Sequence, residues 1–266
     1  MHATLFRRAL CATLAVMLAG LLPAFASPAL AGDVHVMISG GYATTLADLA
    51  PAFEKETGNK VLMVRGPSMG ATPEAIPNRI LRGERADVLI MVDSALDRMI
   101  HDGKALADTR AGLARSGIGV AVRAGAPHPD IATVDSFGKA LLAARSIAVS
   151  DSASGVYATT DLFPRMGIWE SIKEKCRMIP GEPVGAVVAR GEAQIGLQQM
   201  SELKPIPGID ILGPLPEGAQ KYTTFAGAVT SSSRDPTAAR ALLHFLTASP
   251  QAGATAVKNG MQPITQ

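Results

Sequence analysis

Four short segments of this 266-residue chain place small polar residues where a strand-like run gives way to a helix-like one. They are Ser39-Gly40-Gly41, Arg65-Gly66-Pro67-Ser68-Met69-Gly70, Ser150-Asp151-Ser152-Ala153-Ser154-Gly155 and Gly181-Glu182-Pro183-Val184. The first turn of a helix carries unpartnered backbone N–H groups and the positive end of the helix dipole, so it can hold an anion without a formal charge. Glycine lets a ligand approach the backbone, and serine adds a hydroxyl donor. One such segment is ordinary helix capping. Four of them, two on each half of a divided α/β chain, point to an anion-binding cleft. The expected contacts are Ser39, Gly40, Gly41, Ser68, Met69, Ser152, Ser154 and Val184.

Arg65 ends a strand-like run and precedes a Gly-Pro turn, which would set its guanidinium at the cleft mouth. There it can pair bidentately with a carboxylate, although a surface ion pair with a glutamate is an equally good reading. Tyr157 lies on the first turn after the serine-rich segment; it can donate to the same anion or pack in the core. Gln198 and Gln199 end an apolar strand, where adjacent side chains point to opposite faces, so one amide is interior. Gln199 is expected in the cleft.

Other chemistries find little support. His35, His101, His128 and His244 are isolated, without metal-ligand spacing. No P-loop pattern occurs and no G-x-G-x-x-G follows the first strand, so nucleotide chemistry is not expected; the isolated histidines argue against a Ser/His/Asp arrangement, and no metal or other cofactor is expected. Cys176 reads as a small buried hydrophobe rather than a nucleophile. With aromatic residues at 4%, stacking sites for sugars or bases are not expected.

Residues 1–31 read as an export signal. Arg7 and Arg8 are followed by an apolar run from 9 to 22, and Ala29-Leu30-Ala31 has the pattern that signal peptidase recognises. The run is shorter than the ~20 residues of a membrane span, and Pro23 interrupts it. Cleavage before Gly32 would leave a periplasmic protein with no membrane insertion. It would also remove the excess of positive charge: of 25 basic and 23 acidic residues, only Arg7 and Arg8 precede residue 32, so 23 of each remain. A chain balanced in this way has no basic block for a nucleic-acid backbone. Cys11 would leave with the signal and Cys176 would have no internal partner.

The residues that carry the chemistry need elements to position them. Apolar or β-branched runs at 34–38, 61–64, 88–92, 118–122, 147–149, 178–179, 195–197, 209–212 and 222–229 alternate with helical patterns. The helices are expected from Thr44 or Thr45 to Gly58, from Thr72-Pro73-Glu74 with a kink at Pro77, from Ser94 to Gly103, at 135–144, at 155–166, at 184–189 and from Asp235-Pro236 onwards. This is an α/β chain of parallel strands and crossover helices, best arranged as two lobes with the ligand cleft between them. Lobe 1 is expected at 32–112 and 227–266, and lobe 2 at 113–226.

The part after residue 31 resembles the periplasmic molybdate-binding proteins along nearly its whole length. The matching features are Ser39-Gly-Gly, Phe53-Glu-Lys-Glu-Thr-Gly58, Gly83-Glu-Arg-Ala-Asp87-Val, Gly155-Val-Tyr-Ala158 and Gly191-Glu-Ala-Gln-Ile-Gly196. The resemblance implies the two-lobed type II periplasmic-binding-protein fold. At the ligand positions the chain departs from that family, with Gly41 in place of a serine, Gln199 in place of a tyrosine, and a longer segment after Arg65, which points away from molybdate.

A narrower resemblance is to the aconitate isomerases. It rests on Pro67-Ser-Met-Gly70, Ala75-Ile-Pro-Asn-Arg79, Ser94-Ala-Leu-Asp97, Ser150-Asp-Ser-Ala-Ser-Gly-Val-Tyr157, Phe163-Pro-Arg-Met166, Glu182-Pro-Val-Gly-Ala-Val-Val-Ala-Arg-Gly-Glu192 and Ser201-Glu-Leu-Lys204. It implies an enzyme that moves the double bond of a small tricarboxylate by allylic proton transfer, acting as a monomer. An acid/base must shuttle that proton, and Glu182 and Tyr157 are the candidates; Glu182 reads equally well as a carboxylate placed at a helix start. The other reading is a solute-binding component of an uptake system for a carboxylate or an oxyanion.

Overall fold

The first three strand-like runs become three parallel strands, β1 (Asp33–Ile38), β2 (Lys60–Arg65) and β3 (Val88–Val92), with β1 in the middle. The computed structural model describes residues 32–264; the expected export signal, 1–31, lies outside the described residues. The chain continues through β4 (Ala111–Arg123), β5 (Ile147–Ser150), β6 (Cys176–Ile179), β7 (Ile195–Gln199), β8 (Ile209–Pro214), β9 (Tyr222–Val229) and β10 (Gln262–Pro263). The strand order is β2-β1-β3-β9-β4-β7-β5-β6, with β8 and β10 also pairing on β4.

The sheet is mixed. β9 runs antiparallel to β3, and β4 runs antiparallel to β9, β7 and β8, while β5 is parallel to β6 and β7. β4 is the element that joins the two lobes. Its first half pairs with β9 and β10, and from Ile118 it pairs with β7 and β8. Only 118–122 of this 13-residue strand stands out in the sequence, because Gly112, Arg115, Ser116 and Gly117 dilute the apolar and β-branched pattern before it.

Two apolar cores lie on either side of this change of partner. One gathers Val34, Phe53, Leu89, Ala114, Phe225, Leu242 and Met261. The other gathers Ile118, Phe137, Val149, Phe163, Ile195, Leu197 and Ala219. The result is a two-lobed α/β fold with a cleft. In the first lobe the buried carboxylate of Asp87 ties segments together, accepting from the His35 and Arg234 N–H groups and from the Ser233 hydroxyl. Burial opposes its ionisation, but these donors and Arg85 together hold its carboxyl below the usual range. The Gly83-Glu-Arg-Ala-Asp87-Val motif is thus a structural brace.

Several helices differ from expectation. The first is Gly40–Thr57, with Ser39 rather than Thr44 or Thr45 at its N-cap position, and it stops as expected at Gly58 in the left-handed conformation (φ 77°). The second is only Ile76–Leu81, so Pro77 occupies the first turn, where its missing N–H costs nothing, and introduces no kink. Residues 153–165 form one continuous helical run whose middle, Ala158–Leu162, is widened to a π turn. Widening just before Pro164 relieves the clash its ring would make in a regular helix. The C-terminal region holds two helices, Pro236–Ala248 and Pro250–Lys258, separated at Ser249 before Pro250.

Candidate functional site

The N-terminus of the helix Gly40–Thr57 meets the short helix Met200–Leu203 across the cleft. Gly40 and Gly41 are required there for different reasons. A Cβ on Gly40 would overlap the Glu202 carboxylate, and a Cβ on Gly41 would overlap the ring of Phe225. Ser39, buried at the same end, makes no capping bond with its hydroxyl.

Glu202 keeps part of its surface open, yet burial is the largest influence on its carboxyl. Burial pushes it up to about 7; the Gln198 amide and Arg65 pull it down, and Asp151 adds to the rise. The positive end of the neighbouring helix favours the charged form by about 0.3–1 kcal/mol, less than the ~1.4 kcal/mol of one pKa unit. The upward push therefore survives it.

Arg65 ends β2 exposed, and among the described residues it has no hydrogen-bonded partner, so its charge is available to the cleft. Asp151 accepts from the Gly181 N–H at 3.2 Å. Beside it an opening of about 500 Å³ is lined by Met69, Gly70, Ala71 and Thr72 from one lobe and by Asp151, Met178 and Pro180 from the other. The opening is mostly apolar, whereas the polar and charged groups Arg65, Asp151 and Gln198 act on Glu202, which makes Glu202 the candidate for chemistry.

The other expected site residues divide. Met69 lines the opening, and Ser152 stays partly exposed at the start of its helix with no capping bond. The Ser154 hydroxyl is 2.8 Å from that of Ser150, which also accepts from the Gly155 N–H, so this pair shapes the loop. The Val184 N–H is taken by Gln198 Oε1 at 2.8 Å. Ser68 is fully buried and accepts from the Val92 N–H at 2.9 Å. Gly66-Pro67-Ser68-Met69-Gly70 has the G-x-S-x-G spacing of a nucleophile elbow, but a serine buried in this way is part of the packing.

Tyr157 donates its hydroxyl to the Ala219 carbonyl at 3.0 Å and accepts from Arg165 at 2.9 Å, both within the second lobe. Glu182 is exposed and held by Arg190, which also binds Glu192. Gln199 is buried and best satisfied with its amide donating to the Ser116 and Gly117 carbonyls and accepting from Thr223. It braces β4 where that strand changes partners, and the glutamine that reaches Glu202 is Gln198. Burial pushes the Cys176 thiol up to about 11, so little thiolate forms. Among the described residues no three His, Cys, Asp or Glu converge as metal ligands, and no helix is long and apolar enough to cross a membrane.

Glu202 is the candidate site residue that sequence reasoning missed, and Gln198 is the one it weighed and passed over for Gln199. They lie in the same strand-to-helix device as the other segments, Gln198-Gln199-Met200-Ser201-Glu202, but without the glycine that marks them.

The chain has relatives in sequence and in fold. The sequence pattern of the bacterial extracellular solute-binding proteins matches residues 34–262. An aconitate isomerase of a Pseudomonas species is 54% identical over 229 residues, covering 86% of this chain and 87% of the relative. The molybdate-binding protein of Escherichia coli is 28% identical over 215 residues, covering 77% and 80%. In three dimensions the periplasmic molybdate-binding protein of Azotobacter vinelandii superposes with a TM-score of 0.71 at 21% identity, over 86% of this chain and 98% of that one. Since the match runs from β1 to β10, through both cores and the cleft between them, the chain belongs to the bacterial extracellular solute-binding protein family.

Proposed function

We propose that this protein is a periplasmic isomerase that interconverts trans- and cis-aconitate, exported by cleavage of residues 1–31. The observation that carries the reading is the 54% identity, over nearly the whole chain, to an aconitate isomerase. The residues of the cleft suit the chemistry. Aconitate has a C=C bond next to a methylene, with a carboxylate on each of the three carbons. Removing a methylene proton leaves an allylic anion whose charge spreads onto a terminal carboxylate. Donors fixed in advance where that charge develops lower the barrier. The N–H groups at Gly40 and Gly41 and the guanidinium of Arg65 are the donors proposed for this role, with Ser39 and Ser152 as hydroxyl contacts. The lobes, taken as 32–112 with 227–266 and as 113–226, would close on the substrate and exclude water.

The test is to incubate the purified protein with trans-aconitate and to follow the cis isomer by chromatography. Tight binding without a cis product would favour the second reading, a binding component of an uptake system, which the family supports directly. Intact mass of protein recovered from the periplasm tests the export step: the chain should begin at Gly32.

A further inference from the structure

We propose that Glu202 carries the proton in this reaction, taking it from the methylene carbon of the tricarboxylate and returning it to the far carbon of the allyl unit. The inference rests on the isomerase reading above. Glu202 reaches from the short helix Met200–Leu203 to the N-terminus of the helix Gly40–Thr57, against Gly40, and keeps part of its surface open. The residues that sequence nominated are engaged elsewhere: Arg190 holds Glu182, and the Tyr157 hydroxyl donates to the Ala219 carbonyl. Among the described residues no cation pairs with Glu202; the Gln198 amide bonds to it, and two charges of opposite sign, Arg65 and Asp151, act on it. A proton shuttle works best when its pKa lies near the working pH, and burial brings this carboxyl to about 7.

The step balances. A Glu202 oxygen takes a proton from the methylene carbon. The electron pair of that C–H bond becomes the new C=C bond to the central carbon, and the original π pair moves to the far carbon and its carboxylate. The far carbon then takes the proton back from Glu202. One C–H bond breaks, one forms, and nothing is oxidised or reduced. The electron density gathers on carboxylates next to the Gly40 N–H and Arg65. Rotation about the bond to the methylene carbon before deprotonation decides whether the product is cis or trans.

Glu202→Gln keeps the shape of the side chain and removes its basicity. Loss of a general acid/base costs about 10²–10⁴-fold, and a fall of that size in kcat is expected, with trans-aconitate still raising the melting temperature of the variant. Wild-type kcat should rise with pH through a midpoint near 7. Glu202→Asp, which retains the charge on a shorter stem, should fold, keep a reduced kcat and show a shifted midpoint. An active Glu202→Gln beside an active wild type would overturn the inference alone, as would a Glu202→Asp profile identical to wild type should Glu202→Gln fail to fold. A wild type that forms no cis isomer would overturn the isomerase reading and this inference with it.

Discussion

The Glu202 carboxylate occupies the space that a Cβ on Gly40 would fill, so one helix start and one acid far apart in sequence share a single position. Gly40→Ala should therefore act on function more than on stability. The obstructing atom is the end of a flexible side chain, which can swing away at little cost. The displaced carboxylate would then miss its reaction geometry, where an error of about 1 Å can cost on the order of a hundredfold. The expected result is a near-unchanged melting temperature with kcat/KM lowered by about that factor, read by thermal shift and steady-state assay on the same sample.

Gly41 behaves oppositely. Its missing Cβ leaves room for the ring of Phe225, a rigid group that is 1% exposed and packed in the core. Gly41→Ser should overpack this contact and destabilise the protein by about 1–3 kcal/mol. Urea unfolding with an unchanged slope and a lowered midpoint is the expected signature.

The stability of the protein should carry the Glu202 titration. Its carboxyl rises from an ordinary 4.5 to about 7 on folding, so between those values the folded state binds more protons than the unfolded state. The stability it contributes is fully present below 4.5 and is lost as pH rises through about 7. Glu202→Gln, neutral at every pH, should escape this loss. It should match wild type near pH 4 and exceed it at pH 8 by on the order of 1–2 kcal/mol, allowing for partial solvent screening. Thermal melts of the two proteins across this range make the comparison; parallel curves would contradict it.

Among the described residues Arg65 has no hydrogen-bonded partner to hold it away from the cleft. If it grips a carboxylate that gains charge in the transition state, Arg65→Ala should lower kcat/KM by on the order of a hundredfold or more. Arg65→Lys should restore little of this, because an ammonium cannot reproduce the bidentate fork. Full activity in Arg65→Ala would return the residue to the role of a solvent-facing charge.

Gln199 braces the strand that joins the lobes. Gln199→Ala would leave the Ser116 and Gly117 carbonyls without its amide, at a cost of about 1–3 kcal/mol in a buried setting. A melting temperature unchanged by this substitution would show that the brace is dispensable.

What sequence revealed and what it hid follow from the range of the forces involved. Local signals survived: the left-handed Gly58 stop, Pro183 before the helix Val184–Ala189, Asp235-Pro236 at the start of its helix, and the limits of β9. The start of the first helix was hidden because Gly40 and Gly41 look like a loop. They are glycines inside a helix because Glu202 and Phe225, distant in sequence, leave no room for side chains. The choice between Gln198 and Gln199 was a matter of one residue of register on a strand, where neighbours face opposite ways. Glu182 and Glu202 are both glutamates at helix starts. Only the fold pairs the first with Arg190 and sets the second against Gly40.

The core that begins at Ile118 is complete by Ala219, whereas the core that begins at Val34 must wait for Phe225, Leu242 and Met261. Its closing contact, β3 against β9, pairs Val88 with Val229 across the whole of the other lobe. Contacts so distant in sequence form late, because the loop between them must first be closed. A chain emerging from its amino end would thus finish its middle third first and hold β1, β2 and β3 unfinished until the last residues arrive. Those waiting strands carry Arg65 and lead into the helix start at Gly40, so a truncated chain could keep a folded second lobe and Glu202 yet have no partner lobe for it to meet.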